Sequence, residues 1–178
     1  LETLKTEILE EFASIEKDLS INFEKTSSTE QGLSTEDSKK IILALKSAHN
    51  GVYRMSPDVE DLVETSNNIA RVELKNGALK ILNLSRSSVE SNKMAVAEQL
   101  KSVFELAGMQ VEFSGSYPGW KPKPGAEIIK IMTEIYEKDF GAKPHVVACH
   151  AGLECGIIGA NYPKMEMVSF GPTIRGAH

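Results

Sequence analysis

The chain has 178 residues, 41% of them apolar and 25% charged, with a net charge of −5. That size fits one soluble domain, or two small ones, with a real core, and the acidic balance argues against a nucleic-acid or anionic-membrane surface. No apolar run approaches the roughly 18 residues of a membrane span, and two cysteines are too few for a disulfide framework, so a reducing cytoplasm is the expected compartment.

The chain opens at Leu1 inside a helical pattern and closes on His178; it is read as a piece of a larger enzyme. Leu4, Ile8, Leu9, Phe12 and Ile15 recur at helical spacing and predict a helix over 2–17. Leu19, Ile21 and Phe23 alternate with polar residues and predict a strand. After a polar loop over 26–34, Ser34 and Asp37 form a capping-box variant ahead of Ile41, Ile42 and Leu45. This second helix is expected to end near Asn50-Gly51, with His49 favoured there by the helix dipole.

Asn76-Gly77, flanked by β-rich runs, predicts a hairpin over 64–87. A third helix is expected over 88–108, its apolar face marked by Val89, Met94, Val96, Leu100, Val103, Phe104 and Ala107, with Gly108 as the residue that ends it. Met109, Val111 and Phe113 alternate as a further strand. The order α-β-α-β-β-α-β describes an antiparallel sheet with helices on one face, related to the ferredoxin-like arrangement.

Residues 117–125 hold three prolines and two glycines and cannot be regular structure, which places a domain boundary at about residue 117. Beyond it, a helix over 126–140 is followed by strand, Gly-containing turn, helix, strand and a loop ending on His178. The apolar runs here are nearly continuous, as in a sheet covered on both faces. The fold class is therefore α+β followed by α/β.

Several side chains in this pattern can carry chemistry. His178 follows a strand and a Gly-containing loop, a place from which single metal ligands are delivered; a terminal histidine can equally be incidental. A zinc site needs three or four ligands, and the sequence contains no His-x-His, His-Glu-x-x-His or Cys-x-x-Cys to supply them. Cys149 and His150 are strand neighbours that point to opposite faces, so they do not make a nucleophile–base pair. The Gly152 turn leaves backbone N–H groups free to receive a carboxylate, and Glu154 beside them can hold an ammonium. Equally, Glu154 can be a plain first-turn acid favoured by the helix dipole. In the hairpin, Arg86 can grip a carboxylate and Asn67 or Asn68 can polarise a carbonyl oxygen, set against the plain reading of surface polarity on a half-solvated sheet.

Taken together, the segments Glu64–Ala70, Ser85–Ser91, Tyr117–Trp120, His150–Gly156 and Ser169–His178 resemble the bacterial aminoacyl-histidine dipeptidases, Xaa-His dipeptidases related to carnosinase among the two-zinc peptidases. The resemblance covers nearly the whole chain from about residue 35. It implies part of a ferredoxin-like lid or dimerisation domain over 1–116 and the C-terminal βαβ part of a zinc-peptidase catalytic domain over 117–178. It implies that His178 is a metal ligand and that Asn68 (or Asn67), Arg86 and Glu154 contact the substrate. The general base, the other ligands of two zinc ions and the lid histidine are implied in segments before Leu1, so no catalytic residue is assigned within this chain. The implied reaction is dipeptide hydrolysis by a metal-activated water between ions about 3.5–4 Å apart, in a cytoplasmic enzyme that dimerises through its lid. Two rivals have a different function: a non-catalytic α+β dimerisation module, and an amino-acid-binding module built on the Gly152–Glu154 turn.

Overall fold

The computed structural model describes residues 1–25, 27, 32–150 and 153–171. They form two compact units, Leu1–Leu33 and Ser34–His178. In the first, α1 (Glu2–Phe12) buries none of its residues. It is shorter than its apolar spacing predicts, because the chain leaves the helix in turns from Phe12 to Leu19. Residues 19–23 are not a strand. A strand is held by ladder hydrogen bonds from a neighbour, and among the described residues these have none.

The second unit begins with α2 (Thr35–Ser47), whose cap is the predicted one: Ser34 Oγ accepts from the Asp37 N–H at 3.0 Å. The chain then turns at Gly51, with φ at +102°, into β1 (Gly51–Met55). This edge strand was not expected; the segment reads locally as a helix end. It pairs antiparallel with β2 (Val63–Lys75), which pairs antiparallel with β3 (Ala78–Ser87) in the order β1-β2-β3. The predicted hairpin turn is present: Asn76 and Gly77 both take positive φ, 52° and 74°, as a type I′ turn requires.

Helix α3 (Glu90–Leu106) packs on one face of this sheet, and Gly108 follows it at φ +79°. The core is Ala44, Ala48, Val96, Leu100 and Phe104, with Ile69 and Ile81 packed against it from the sheet. Strand parity follows: Thr65, Asn67 and Ile69 point toward the helices, while Ser66 and Asn68 point away. The predicted strand at 109–113 is absent as a ladder, yet its alternation survives, since Met109 and Val111 pack on the core and Gln110 and Glu112 are exposed.

Helix α4 (Glu127–Phe140) ends on Gly141 in the left-handed conformation, and α5 (Leu153–Asn161) follows. The strands expected on either side of α5 are not formed among the described residues. Val146 and Val147 are exposed there, and among the described residues no neighbouring strand pairs with them. Among the described residues the architecture is thus mixed, five helices with a three-stranded antiparallel sheet.

Candidate functional site

The sheet face turned away from α2 and α3 carries the candidate site. Ser66 on β2 lies directly opposite Arg86 on β3, and Asn68 lies opposite Leu84. The segment before α5 brings His150 onto this face, where its Nε2 is 3.0 Å from Ser66 Oγ. These two residues are 84 positions apart in sequence.

Two glycines and a lysine set that approach. A Cβ on Gly119 would collide with the carbonyl oxygen of Ser87, and one on Gly156 would sit 2.5 Å from the carbonyl oxygen of Pro118. The Pro118–Trp120 segment therefore lies backbone to backbone between the end of β3 and helix α5. Lys93 fastens the same segment, donating to Tyr117 O at 2.7 Å and Ser116 Oγ at 3.1 Å while pairing with Glu90 at 2.8 Å.

Burial acts first on His150 and holds its pKa below the ordinary value of 6.5; the positive charge of Arg86 adds to that effect. The imidazole is therefore neutral at neutral pH, one nitrogen engaged with Ser66. Arg86 itself has no carboxylate partner among the described residues. Arg86 and His150 line a cavity of about 810 Å³ that wraps around the free edge of β3, with residues of both β3 faces, α3 and residues 109–117 on its wall. The other cations on its wall are engaged: Lys93 as described, and Lys101 over the Phe113 ring at 5.8 Å. An exposed guanidinium beside a neutral imidazole is a receptor for a carboxylate.

Asn67 and Asn68 have different environments. Asn67 is 2% exposed and spends its amide on structure: it donates to His49 O at 2.8 Å and Asn83 Oδ1 at 3.3 Å, and accepts from Ser85 at 3.0 Å. Asn68 is exposed on the Ser66–Arg86 face. Glu154 is exposed in the first turn of α5. His178 and Gly152 lie outside the described residues.

No family model matches the chain. It is 36% identical over 177 residues to the cytosol non-specific dipeptidase of Escherichia coli (strain K12), covering 99% of this chain and 36% of that protein. A solved structure, the aminoacylhistidine dipeptidase from Vibrio alginolyticus, matches at a TM-score of 0.88 and 42% identity, covering 98% of this chain and 36% of that one. The chain resembles the dipeptidases. It spans 36% of the length of each of these dipeptidase relatives, and the resemblance read from the sequence motifs is borne out along nearly its whole length.

Of the residues singled out on sequence, the fold brings Arg86 and Asn68 to one face and leaves Glu154 exposed on α5. His150 stands out in the sequence beside Cys149, but nothing local joins it to Ser66; only the tertiary contact does. Among the described residues, no three His, Cys, Asp or Glu side chains converge to hold a metal ion. The described part of this dipeptidase-like chain therefore does not fit a zinc centre by itself. Nor is any described helix long and apolar enough to cross a membrane.

Proposed function

We propose that this chain serves a metal-dependent dipeptidase that hydrolyses Xaa-His dipeptides, with residues 1–116 belonging to its lid and 117–178 to its catalytic domain. The observation that carries the reading is Arg86, opposite Ser66 and beside a neutral His150, with no carboxylate partner among the described residues. The likeness to two proteins named as dipeptidases supports it from the side of sequence and fold.

In this reading Arg86 takes the C-terminal carboxylate of the dipeptide through paired N–H donors. Asn68, exposed on the same face, donates to the peptide carbonyl, while Glu154 holds the substrate ammonium. Asn67 is set aside in favour of Asn68 because its amide is already consumed by His49, Asn83 and Ser85. Two zinc ions, implied by the resemblance, are assigned to the rest of the enzyme together with His178. The described residues of this chain act on the substrate alone, binding and orienting it. A cytosolic location and a homodimer formed through the lid belong to the same proposal; the Escherichia coli relative is named as a cytosolic enzyme.

The test is Arg86→Ala in the complete polypeptide that contains this chain, with alanyl-histidine and its C-terminal carboxamide as substrates. Loss of a charge-assisted hydrogen bond raises KM about 10- to 100-fold, and only the carboxylate substrate should show it. An equal loss with both substrates would remove Arg86 as the carboxylate anchor.

A further inference from the structure

The proposed dipeptidase reading uses Arg86 and leaves His150 without a role, although its position is tightly specified. Its Nε2 is held by Ser66 Oγ at 3.0 Å, and Ser66 is the cross-strand partner of Arg86. Among the described residues its other ring nitrogen has no partner. Both His150 and Arg86 face the same cavity. A ligand carboxylate that neutralises Arg86 is therefore brought within the field of the imidazole.

We propose that His150 is a second, proton-linked anchor for the substrate carboxylate and that Ser66 is its positioning residue. The inference rests on the dipeptidase reading and deepens it. The charged and titratable groups on the cavity wall are Arg86 on β3, Lys93 and Lys101 on α3, and Glu112 and Tyr117 on the 109–117 segment. Lys93 is compensated by Glu90, which leaves Arg86 as the cation that acts on His150.

In the free protein, burial and then Arg86 disfavour the imidazolium. A bound carboxylate offsets the charge of Arg86 and adds an acceptor for the protonated ring, so the His150 pKa rises on binding. Binding then takes up a proton, and affinity for the carboxylate substrate increases as pH falls through the liganded pKa. A protonated His150 adds one charge-assisted hydrogen bond, worth about tenfold in KM.

The experiment compares KM for alanyl-histidine and alanyl-histidinamide across the histidine titration range, in the complete polypeptide and its His150→Gln and Ser66→Ala variants. The substrate's own imidazole titrates identically in every protein and cancels in the comparison. The expected result is a KM for the carboxylate substrate about tenfold higher in His150→Gln at the acid end. That difference should shrink toward alkaline pH and be absent with the amide. Ser66→Ala should show part of the same loss, and Ser66→Thr should restore it. An identical KM profile in wild type and both variants overturns the inference while leaving the dipeptidase reading standing, as does an equal shift with the amide. Failure of the unmodified protein to turn over either substrate overturns both.

Discussion

Gly156 on α5 is pressed against the carbonyl oxygen of Pro118, leaving no room for a Cβ, and Gly119 meets Ser87 and Ser88 in the same way. The two contacts stack three pieces of backbone, the end of β3, the Pro118–Trp120 segment and α5. Side chains cannot enter either contact, so the distance of α5 from the sheet, and with it the position of His150, is set by glycine.

Gly119→Ala should therefore destabilise the protein by about 1–3 kcal/mol, the usual cost of overpacking a site whose neighbours are backbone. Gly125→Ala, where nothing lies within contact range, is the control and should stay within about 0.5 kcal/mol. Urea denaturation of both variants measures the difference. Equal stability of the two would mean that the segment moves aside without cost.

The adjacent asparagines should separate cleanly. Asn67→Ala removes an amide that makes three hydrogen bonds in a buried position, and a cost of about 1–3 kcal/mol is expected. Asn68→Ala, at an exposed position, should leave stability within about 0.5 kcal/mol and act on KM instead. Melting curves and steady-state kinetics on the same pair of variants check both halves.

His150 should also mark the acid side of the stability profile. Its folded-state pKa lies below the ordinary 6.5, so between those two values the unfolded chain binds more protons than the folded one. Stability then rises with pH across that window. As pH falls below 6.5 this contribution is lost, until the folded pKa is passed. His150→Gln should flatten the slope there. Arg86→Ala should move the His150 titration, followed by NMR, partway back toward 6.5, because burial remains after the charge is gone.

Lys93 should prove structural. It is 9% exposed, and its ammonium reaches Glu90, Ser116 and Tyr117. Lys93→Met keeps the buried stem but leaves the Tyr117 carbonyl without its donor, at a cost of about 1–3 kcal/mol. Limited proteolysis should then cut faster within residues 116–125. An unchanged cleavage rate would show that Gly119 packing alone holds the segment.

Much of the local structure was legible in the chain. Ser34 and Asp37 announce the cap of α2, Asn76-Gly77 announces the I′ turn, and the apolar face of α3 is readable at helical spacing. Each of these is decided within a few residues, by a side-chain oxygen reaching a free N–H or by a backbone that must take positive φ. The motifs around Arg86 and Asn68 were equally visible as residues.

What tertiary structure alone decided is what requires a distant partner. Alternation at 19–23 and 109–113 did not become strand, because a ladder needs a neighbouring chain and among the described residues none pairs with them. β1 exists because β2 lies beside Gly51–Met55, not because its own pattern demands it. That Asn67 is buried and Asn68 exposed followed from which face the sheet turned toward α3. The meeting of Ser66 with His150, 84 residues away, followed from two glycines that let backbone touch backbone. Sequence determined the local elements and the chemical types on offer; packing determined which of them stand together, because nonlocal contact depends on the whole chain's closure rather than on any one segment's preference.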